Sequence, residues 1–323
     1  AFKHGTWYTA NFDYEPDFPT SAAAFIWFMK EGKEEIPDNI LTLNLSTIKK
    51  VLKITGDINL PDYNLIIKSD NVFELLQAEV ETGFFPGSTK KKDILTALGK
   101  AIINKISSFS TDAQFGRLYQ IANLILTDLD RQNSLFYSTN DSFQNSLSAL
   151  GWTGSFAPVS SDTYALVELN LGANKANCCV TRETSHTITS TDAINRVSTS
   201  EPSINHKITV VFTNNSPSEN PTPPTFFGGN YIAFLRFYLP DNATNIKVDN
   251  PDFTLDKNFG FTQVGLFHTT KSLTTTQINL SYDLPKDNYA LTILKQHGLE
   301  TSPQTINLFG EILSTPLETS FGI

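Results

Sequence analysis

Three carboxylates stand just ahead of a predicted helix near the start of the chain. Asp13, Glu15 and Asp17 precede Thr20, which we expect to cap that helix. Carboxylates before a helix N-terminus are favoured by the helix dipole, and Asp is an ordinary turn residue, so capping is the favoured interpretation. The alternative is a hard-cation site, because carboxylate oxygens suit Mg²⁺ beside a phosphate. Asp13 and Asp17 are therefore candidate metal or phosphate-binding residues.

Three consecutive lysines form a second candidate. Lys90, Lys91 and Lys92 lie near the start of a helix predicted over 88–107, where cations oppose the helix dipole. A solvated run of charge is the simpler interpretation. The alternative is an anion site, in which the lysines and the helix N–H groups hold a phosphate together.

The usual catalytic signatures are absent from the sequence. There is no Gly-x-Ser-x-Gly elbow, no P-loop and no Rossmann glycine fingerprint. Five histidines are scattered along the chain: His4, His186, His206, His268 and His297. None has metal-ligand spacing, so each is interpreted as a surface or strand residue, and His186 and His206 could meet only by folding. The catalytic residues are unknown, and the histidines predict no metal site.

The only two cysteines are adjacent. Because neighbours on a strand point to opposite faces, a bridge between Cys178 and Cys179 would be strained. We interpret them as two small apolar strand residues. A disulfide scaffold is excluded by their number, and a metal site would need more ligands.

Composition limits the class of protein. A length of 323 residues suggests two domains, and a net charge of -9 argues against nucleic acid as a partner. Only 18% of residues are charged, while Asn, Ser and Thr supply much of the polar surface, which is typical of an extracellular protein. No stretch approaches the roughly 18 apolar residues of a membrane helix.

Hydrophobic spacing divides the chain near Gly151. Before it, helices dominate an α/β pattern, with strands predicted over 39–45 and 58–67. After it, eight short strands predict an antiparallel sandwich: 164–171, 180–189, 206–213, 231–239, 261–268, 274–282, 289–294 and 305–308. The Pro-rich residues 217–225 predict an exposed loop. Open sandwich edges would offer strands for a partner.

Seven stretches together resemble a known bacterial family. They are Asp-Phe-Pro-Thr-Ser-Ala at 17–22 and the segments 45–56, 70–76, 150–154, 169–177, 231–240 and 289–298. They resemble the cell-envelope domain of unknown function four-zero-one-two, which is distantly similar to the LytR-CpsA-Psr glycopolymer transferases. The order and breadth of these stretches make the resemblance specific, and it extends over nearly the whole chain.

The resemblance implies a fold and a location. The expected fold class is α+β with two domains: a partial LytR-CpsA-Psr-like α/β domain at 1–150 and an antiparallel Ig-like β-sandwich at 151–323. It implies an extracellular or cell-surface protein, tethered to the membrane in its precursor through a segment absent from this chain. It also implies that the N-terminal half of the α/β domain is missing here, as expected for a processed precursor.

Three functions are compatible with these expectations. The first is a non-catalytic surface or envelope-assembly protein, whose partners are other copies or the missing N-terminal half of the same precursor. The second is a phosphotransferase that attaches a polyprenyl-pyrophosphate-linked glycopolymer to the cell wall with Mg²⁺. The third is a polysaccharide-binding module, with Trp7, Trp152 or tyrosine rings as stacking platforms.

Comparison with the transferases favours the first function. In those relatives, arginines and an acidic residue bind the pyrophosphate and its Mg²⁺, and the arginines lead into a long helix. The corresponding residues 83–92 offer three lysines and no arginine. Because lysine binds phosphate as a point charge and lacks the bidentate fork, the resemblance favours a role without catalysis.

Overall fold

The computed structural model describes residues 9–81, 90–172, 174–191, 202–219, 228–286 and 289–323. Within them the chain is mixed α+β, with six α-helices and two six-stranded sheets. The described residues form two compact units. A strand-rich unit contains 9–37, 154–219 and 228–323, and a helical unit lies within 38–153.

The strand-rich unit begins with helical structure. A 3-10 helix, Thr9–Tyr14, precedes α1, Phe18–Glu31. The sequence predicted Thr20 as the helix cap, and that prediction is wrong: Asp17 is the N-cap, and Thr20 lies inside the first turn. The Asp17 carboxylate reaches the Thr20 N–H, which is the bond that defines a capping residue.

The helical unit contains most of the remaining helices. Its elements are β1 (Asn39–Leu41), α2 (Leu45–Thr55), β2 (Ile58–Leu60), a 3-10 helix (Pro61–Tyr63), β3 (Leu65–Ile67), α3 (Val72–Glu81), α4 (Lys90–Ser107), α5 (Asp112–Asp130), β4 (Phe136–Ser138) and α6 (Asp141–Ala149). Its core contains Val51 and Leu52 of α2 and Ile94, Leu98 and Ile102 of α4. These positions repeat with the helical period, so amphipathic spacing decides which faces are buried.

The strands after residue 154 form the two large sheets. They are β5 (Asp162–Asn170), β6 (Val180–Thr191), β7 (Ser203–Asn214), β8 (Tyr231–Pro240), β9 (Thr244–Val248), β10 (Phe253–Asn258), β11 (Phe261–Thr270), β12 (Thr274–Pro285), β13 (Leu291–Leu294), β14 (Pro303–Leu308), β15 (Glu311–Pro316) and β16 (Phe321–Gly322). One sheet has the order β10-β11-β8-β5-β13-β16, and the other β15-β14-β6-β7-β12-β9. Both sheets contribute to one apolar cluster, which is the arrangement of a sandwich.

All eight predicted strands are present, but the sheets are not purely antiparallel. β13 runs parallel to β5, and β14 runs parallel to β6. The chain passes from one sheet to the other before β13 and again before β14. No hairpin therefore connects β13 to β5 or β14 to β6 and forces these pairs to run antiparallel. The predicted loop at 217–225 lies partly outside the described residues, since 220–227 are not described.

Candidate functional site

Asp17, one of the predicted site residues, makes structural hydrogen bonds with its carboxylate. Its Oδ2 accepts hydrogen bonds from the backbone N–H and the hydroxyl of Thr20, at 2.9 and 2.7 Å. Its Oδ1 accepts the N–H of Phe156 at 2.9 Å. The neighbouring Phe18 N–H donates to the carbonyl of Gly154 at 3.1 Å. One carboxylate therefore caps α1 and ties it to the segment that leads into β5.

The other candidate residues lie in the first 3-10 helix and at the start of α4. Asp13 is exposed in the 3-10 helix, where partial desolvation by nearby atoms raises the pKa of its carboxyl. Lys90, Lys91 and Lys92 begin α4 of the helical unit, and their side chains lie outside the described residues. Among the described residues, no group of three or more His, Cys, Asp or Glu side chains could hold a metal ion.

Replacing Asp17 with alanine is expected to lower the free energy of unfolding by about 1–2 kcal/mol, because the helix loses its cap. Thermal melts of the wild-type and D17A chains measure the loss. Asp13→Ala is the control, with an expected loss below about 0.5 kcal/mol for a surface position. Added Mg²⁺ should leave the difference in stability between the two chains unchanged. If Mg²⁺ instead stabilises the wild-type chain and not the D17A chain, the cation site is supported.

Arg236 anchors the N-terminal segment to the sandwich. This arginine lies in β8 and is 1% exposed. Its guanidinium stacks over the ring of Tyr14 with 4.7 Å from Cζ to the ring centroid, and its Nη2 donates to the Tyr14 carbonyl at 2.6 Å. Its Nη1 lies 3.4 Å from the Glu15 carboxylate. A buried cation with three such contacts explains why residues 9–37 belong to the strand-rich unit, although the sequence predicted them as part of an α/β domain.

A polar cluster lies inside the sandwich, where apolar residues are the rule. His186 of β6 and His206 of β7 share a hydrogen bond of 3.0 Å between Nε2 and Nδ1, and both rings are fully buried. The His206 ring stacks on Tyr282 with centroids 4.3 Å apart. Asp162 lies 3.7 Å from His206 Nε2 and accepts the hydroxyls of Tyr289 and Tyr282, at 2.7 and 3.2 Å.

Burial controls the protonation of this cluster. Desolvation lowers the pKa of His186 to about 3, and desolvation together with the neighbouring His186 lowers the pKa of His206 to about 2. Desolvation raises the pKa of Asp162 to about 6, against the opposing hydrogen bonds from Tyr289 and Tyr282. The two rings are thus neutral across the physiological range, and the interior carries no histidine charge.

Several polar atoms of the cluster have no hydrogen-bond partner among the described residues. They are Nδ1 of His186, Nε2 of His206 and the hydroxyl of Tyr164, whose ring lies 5.4 Å from His186. All three atoms are buried, so the cluster carries an uncompensated desolvation cost. The sequence did not predict this meeting, although both histidines occupy inward-facing positions of strands whose burial alternates.

A second buried network surrounds Glu168 of β5. Its carboxylate pairs with Arg182 of β6 and accepts the hydroxyl of Tyr231 at 2.6 Å. The side chain of Gln296 bonds both the N–H and the carbonyl of the Glu168 backbone, at 2.9 and 3.0 Å. The charged groups of this network are satisfied by each other, which indicates a structural role.

The cysteine prediction is wrong. Cys178 and Cys179 form a disulfide within a 3-10 helix, Ala176–Cys179, and not on a strand. The chain turns immediately before this helix, at Lys175 with a positive φ of 55°. The assumption that adjacent side chains must diverge holds only for extended backbone.

Of the two tryptophans predicted as stacking platforms, only Trp152 lies among the described residues. Trp152 is half-buried, and its indole N–H donates to Asp130 at 2.8 Å within the helical unit. Trp7 lies outside the described residues. Among the described helices, none combines the length and the apolar character needed to cross a bilayer.

The outer strands of the two sheets are an exposed feature of the strand-rich unit. β15 borders only β14, so one side of its backbone is unpaired within the described sheets. Ile312 and Leu313 in the middle of this strand are 71% and 41% exposed. An unpaired strand edge with exposed apolar side chains is a template for pairing with another chain. We take β15 as the candidate functional site.

Comparison with known proteins agrees with the sequence-based family in part of the chain. Residues 1–80 match the family described as "Protein of unknown function (DUF4012)". This match supports membership of that family. No curated protein matches the chain.

Comparison with solved structures gives one weak similarity to report. A crystal structure of a "putative nutrient binding protein" from Legionella pneumophila subsp. pneumophila aligns with a TM-score of 0.29 and 8% identity. The alignment covers 46% of this chain and 55% of that one, which is less than two thirds of the other protein. A similarity of this size carries no argument about function.

Proposed function

We propose that this chain is a cell-surface or envelope protein with a structural or assembly role, exercised through protein–protein contacts. The observation that carries the proposal is the exposed edge of β15 with Ile312 and Leu313. The finer assignments belong to the same proposal: an Ig-like sandwich, a LytR-CpsA-Psr-like helical unit, and an extracellular location reached through a membrane-tethered precursor.

The structural use of two carboxylates supports a role without catalysis. Both carboxylate oxygens of Asp17 accept protein donors, and the Glu168 carboxylate is occupied by Arg182 and Tyr231. The transferase alternative would take Asp13 and Asp17 as Mg²⁺ ligands beside the three lysines. Three of the roughly four lone-pair sites of the Asp17 carboxylate are already used by Thr20 and Phe156, which leaves little capacity for a metal ion.

Site-specific photo-crosslinking on the producing cells tests the proposed function. A photoreactive phenylalanine replaces Ile312 in β15, and a matched chain carries it at Leu255, which is 52% exposed on the edge strand β10. We expect protein adducts from position 312 and few from position 255. Adducts with polysaccharide alone at position 312, or protein adducts equally frequent at both positions, would contradict an assembly role for this edge.

A groove in the helical unit favours polysaccharide binding as the second candidate. It has a volume of about 530 Å³ and runs between Pro61–Tyr63 and one face of α4. The small residues Ala97 and Ala101 leave room, while Asn59 and Asn104 supply amides and Lys100 an ammonium group along its walls. Amides and an aromatic ring in a polar groove suit the hydroxyl groups of a sugar chain.

Titration with cellotetraose, a neutral oligosaccharide, tests this second candidate. We expect weak binding by the wild-type chain and about a tenfold loss in Asn104→Ala, because an amide contact is removed. Asn123→Ala is the matched control, since Asn123 is exposed on α5 away from the groove-lining residues. Equal affinity in both variants, or no binding by the wild-type chain, would remove the groove as a cellotetraose site.

A further inference from the structure

The outer strands of the sandwich are not equally protected against pairing. β9 carries Lys247, and β10 carries Asp256 and Lys257, so a new strand beside either would meet charge. β16 has only two residues. Short edges and edge charges are the usual protection of a sheet. β15 has six residues, and its single charge, Glu311, stands at the hairpin end.

The hairpin register shows which backbone groups of β15 are free to pair. Leu308 and Glu311 are partners across a two-residue turn at Phe309 and Gly310, both with positive φ. In such a hairpin the residues flanking the turn bond each other, and bonded pairs then alternate along the ladder. Beyond β15, the N–H of Leu317 donates to the Ser302 carbonyl at 2.8 Å, which agrees with this alternation.

The alternation leaves a defined set of groups at the open edge. The N–H and C=O groups of Glu311, Leu313 and Thr315 face β14, and those of Ile312 and Ser314 face outward. Pro316 falls in the same outward phase, where its missing N–H removes no bond of the hairpin. The open edge therefore offers two N–H donors and the carbonyl acceptors of Ile312 and Ser314.

This edge is complementary to itself. In an antiparallel pairing, Ile312 lies opposite the partner's Ser314 and Ser314 opposite the partner's Ile312, which satisfies both donors and both acceptors on each copy. Leu313 then faces the partner's Leu313, and Glu311 faces the partner's Thr315. No like charges oppose each other, and Leu313, which is 41% exposed, gains an apolar neighbour.

We propose that β15 pairs antiparallel with β15 of a second copy of this chain, joining two sandwich sheets across a twofold axis through Leu313. The inference rests on the proposed function and names the partner of the same edge. A six-residue strand contact is smaller than the interfaces of stable dimers, so we expect a weak, reversible association.

Sedimentation equilibrium of the full chain, from low to high micromolar concentration, tests the pairing. The wild-type mass is expected to rise toward that of a dimer. Ser314→Pro removes one outward N–H and no bond of the β14–β15 hairpin, and we expect it to weaken association about tenfold or more. Ser314→Ala is the matched control and keeps the wild-type association. Thermal melts of both variants confirm that the sandwich remains folded.

Each outcome decides the inference. A wild-type chain that stays monomeric throughout overturns it, and so does a dimer that S314P leaves unchanged, because the contact then lies elsewhere. If the protein adducts formed at position 312 on cells contain other polypeptides and never a second copy of this chain, self-pairing is overturned and the assembly role still stands. Absence of any protein adduct there would overturn the assembly role as well.

Discussion

Replacing His186 and His206 together with phenylalanine is expected to remove the acid sensitivity that this buried histidine pair gives to the sandwich. In the folded chain both rings resist protonation because they are buried, with pKa values of about 3 and about 2. In the unfolded chain both bind protons below the ordinary histidine pKa of 6.5. Stability therefore falls as the pH drops below 6.5, because the unfolded state binds more protons.

Asp162 offsets part of this loss. Its raised pKa, about 6 against an unfolded value of 3.8, lets the folded chain bind one proton that the unfolded chain does not bind until lower pH. Between about pH 6 and pH 3.8, the unfolded state still holds one more proton than the folded state, because it binds two protons at the histidines. From about pH 7 to about pH 5, the histidines remove about 4 kcal/mol and Asp162 returns about 1 kcal/mol.

Urea unfolding at both pH values measures the effect. The wild-type chain should lose about 2–3 kcal/mol through this cluster on acidification, whereas the double variant, which keeps Asp162, should gain about 1 kcal/mol from it. Tyr164→Phe is the control, since it removes a partnerless hydroxyl beside His186 without removing a histidine. An equal pH dependence in the wild-type and double-variant chains would show that the histidine pair is charged or accessible in the folded state.

Arg236→Ala is expected to cost about 3–5 kcal/mol of unfolding free energy. The substitution removes a fully buried guanidinium, leaves a cavity and frees the Tyr14 carbonyl and the Glu15 carboxylate. Chemical denaturation measures the loss, and limited proteolysis reports whether residues 9–16 are released.

Two further variants separate the anchor from the packing. Arg236→Met keeps much of the side-chain volume and loses the contacts to Tyr14 and Glu15, so it should release the segment to protease with a smaller loss of stability. Glu15→Gln should cost less than about 1 kcal/mol, because that carboxylate is partly exposed. A protease-resistant N-terminal segment in both Arg236 variants would disprove the anchoring role.

Hydrophobic periodicity predicted the parts of the fold that bury one face. The eight strands found from sequence all border the sandwich core, and β7 alternates between inward and outward residues along its length. β10 and β15 were missed because nearly all their residues are exposed, so no period of two marks them. Their pairing depends on neighbours that a local pattern does not contain.

The sites were less predictable than the strands, for a physical reason. His186 and His206 are 20 residues apart and meet only through the β6–β7 register. Arg236 interrupts an apolar run in β8, a signal that it needs a buried partner, but the partner lies more than 200 residues earlier at Tyr14 and Glu15. Asp17 was singled out because carboxylates ahead of a helix form a local pattern, although the cap itself was predicted at Thr20.

Hydrogen–deuterium exchange of the β15 amides, measured at low and high protein concentration, tests the central claim most directly. If this edge is a protein contact that pairs with a second copy, the amides of Ile312 and Ser314 exchange freely in dilute protein and become protected as the concentration rises. The amides of Leu313 and Thr315 are protected at both concentrations by the hairpin. Free exchange of Ile312 and Ser314 at every concentration would contradict pairing at this edge.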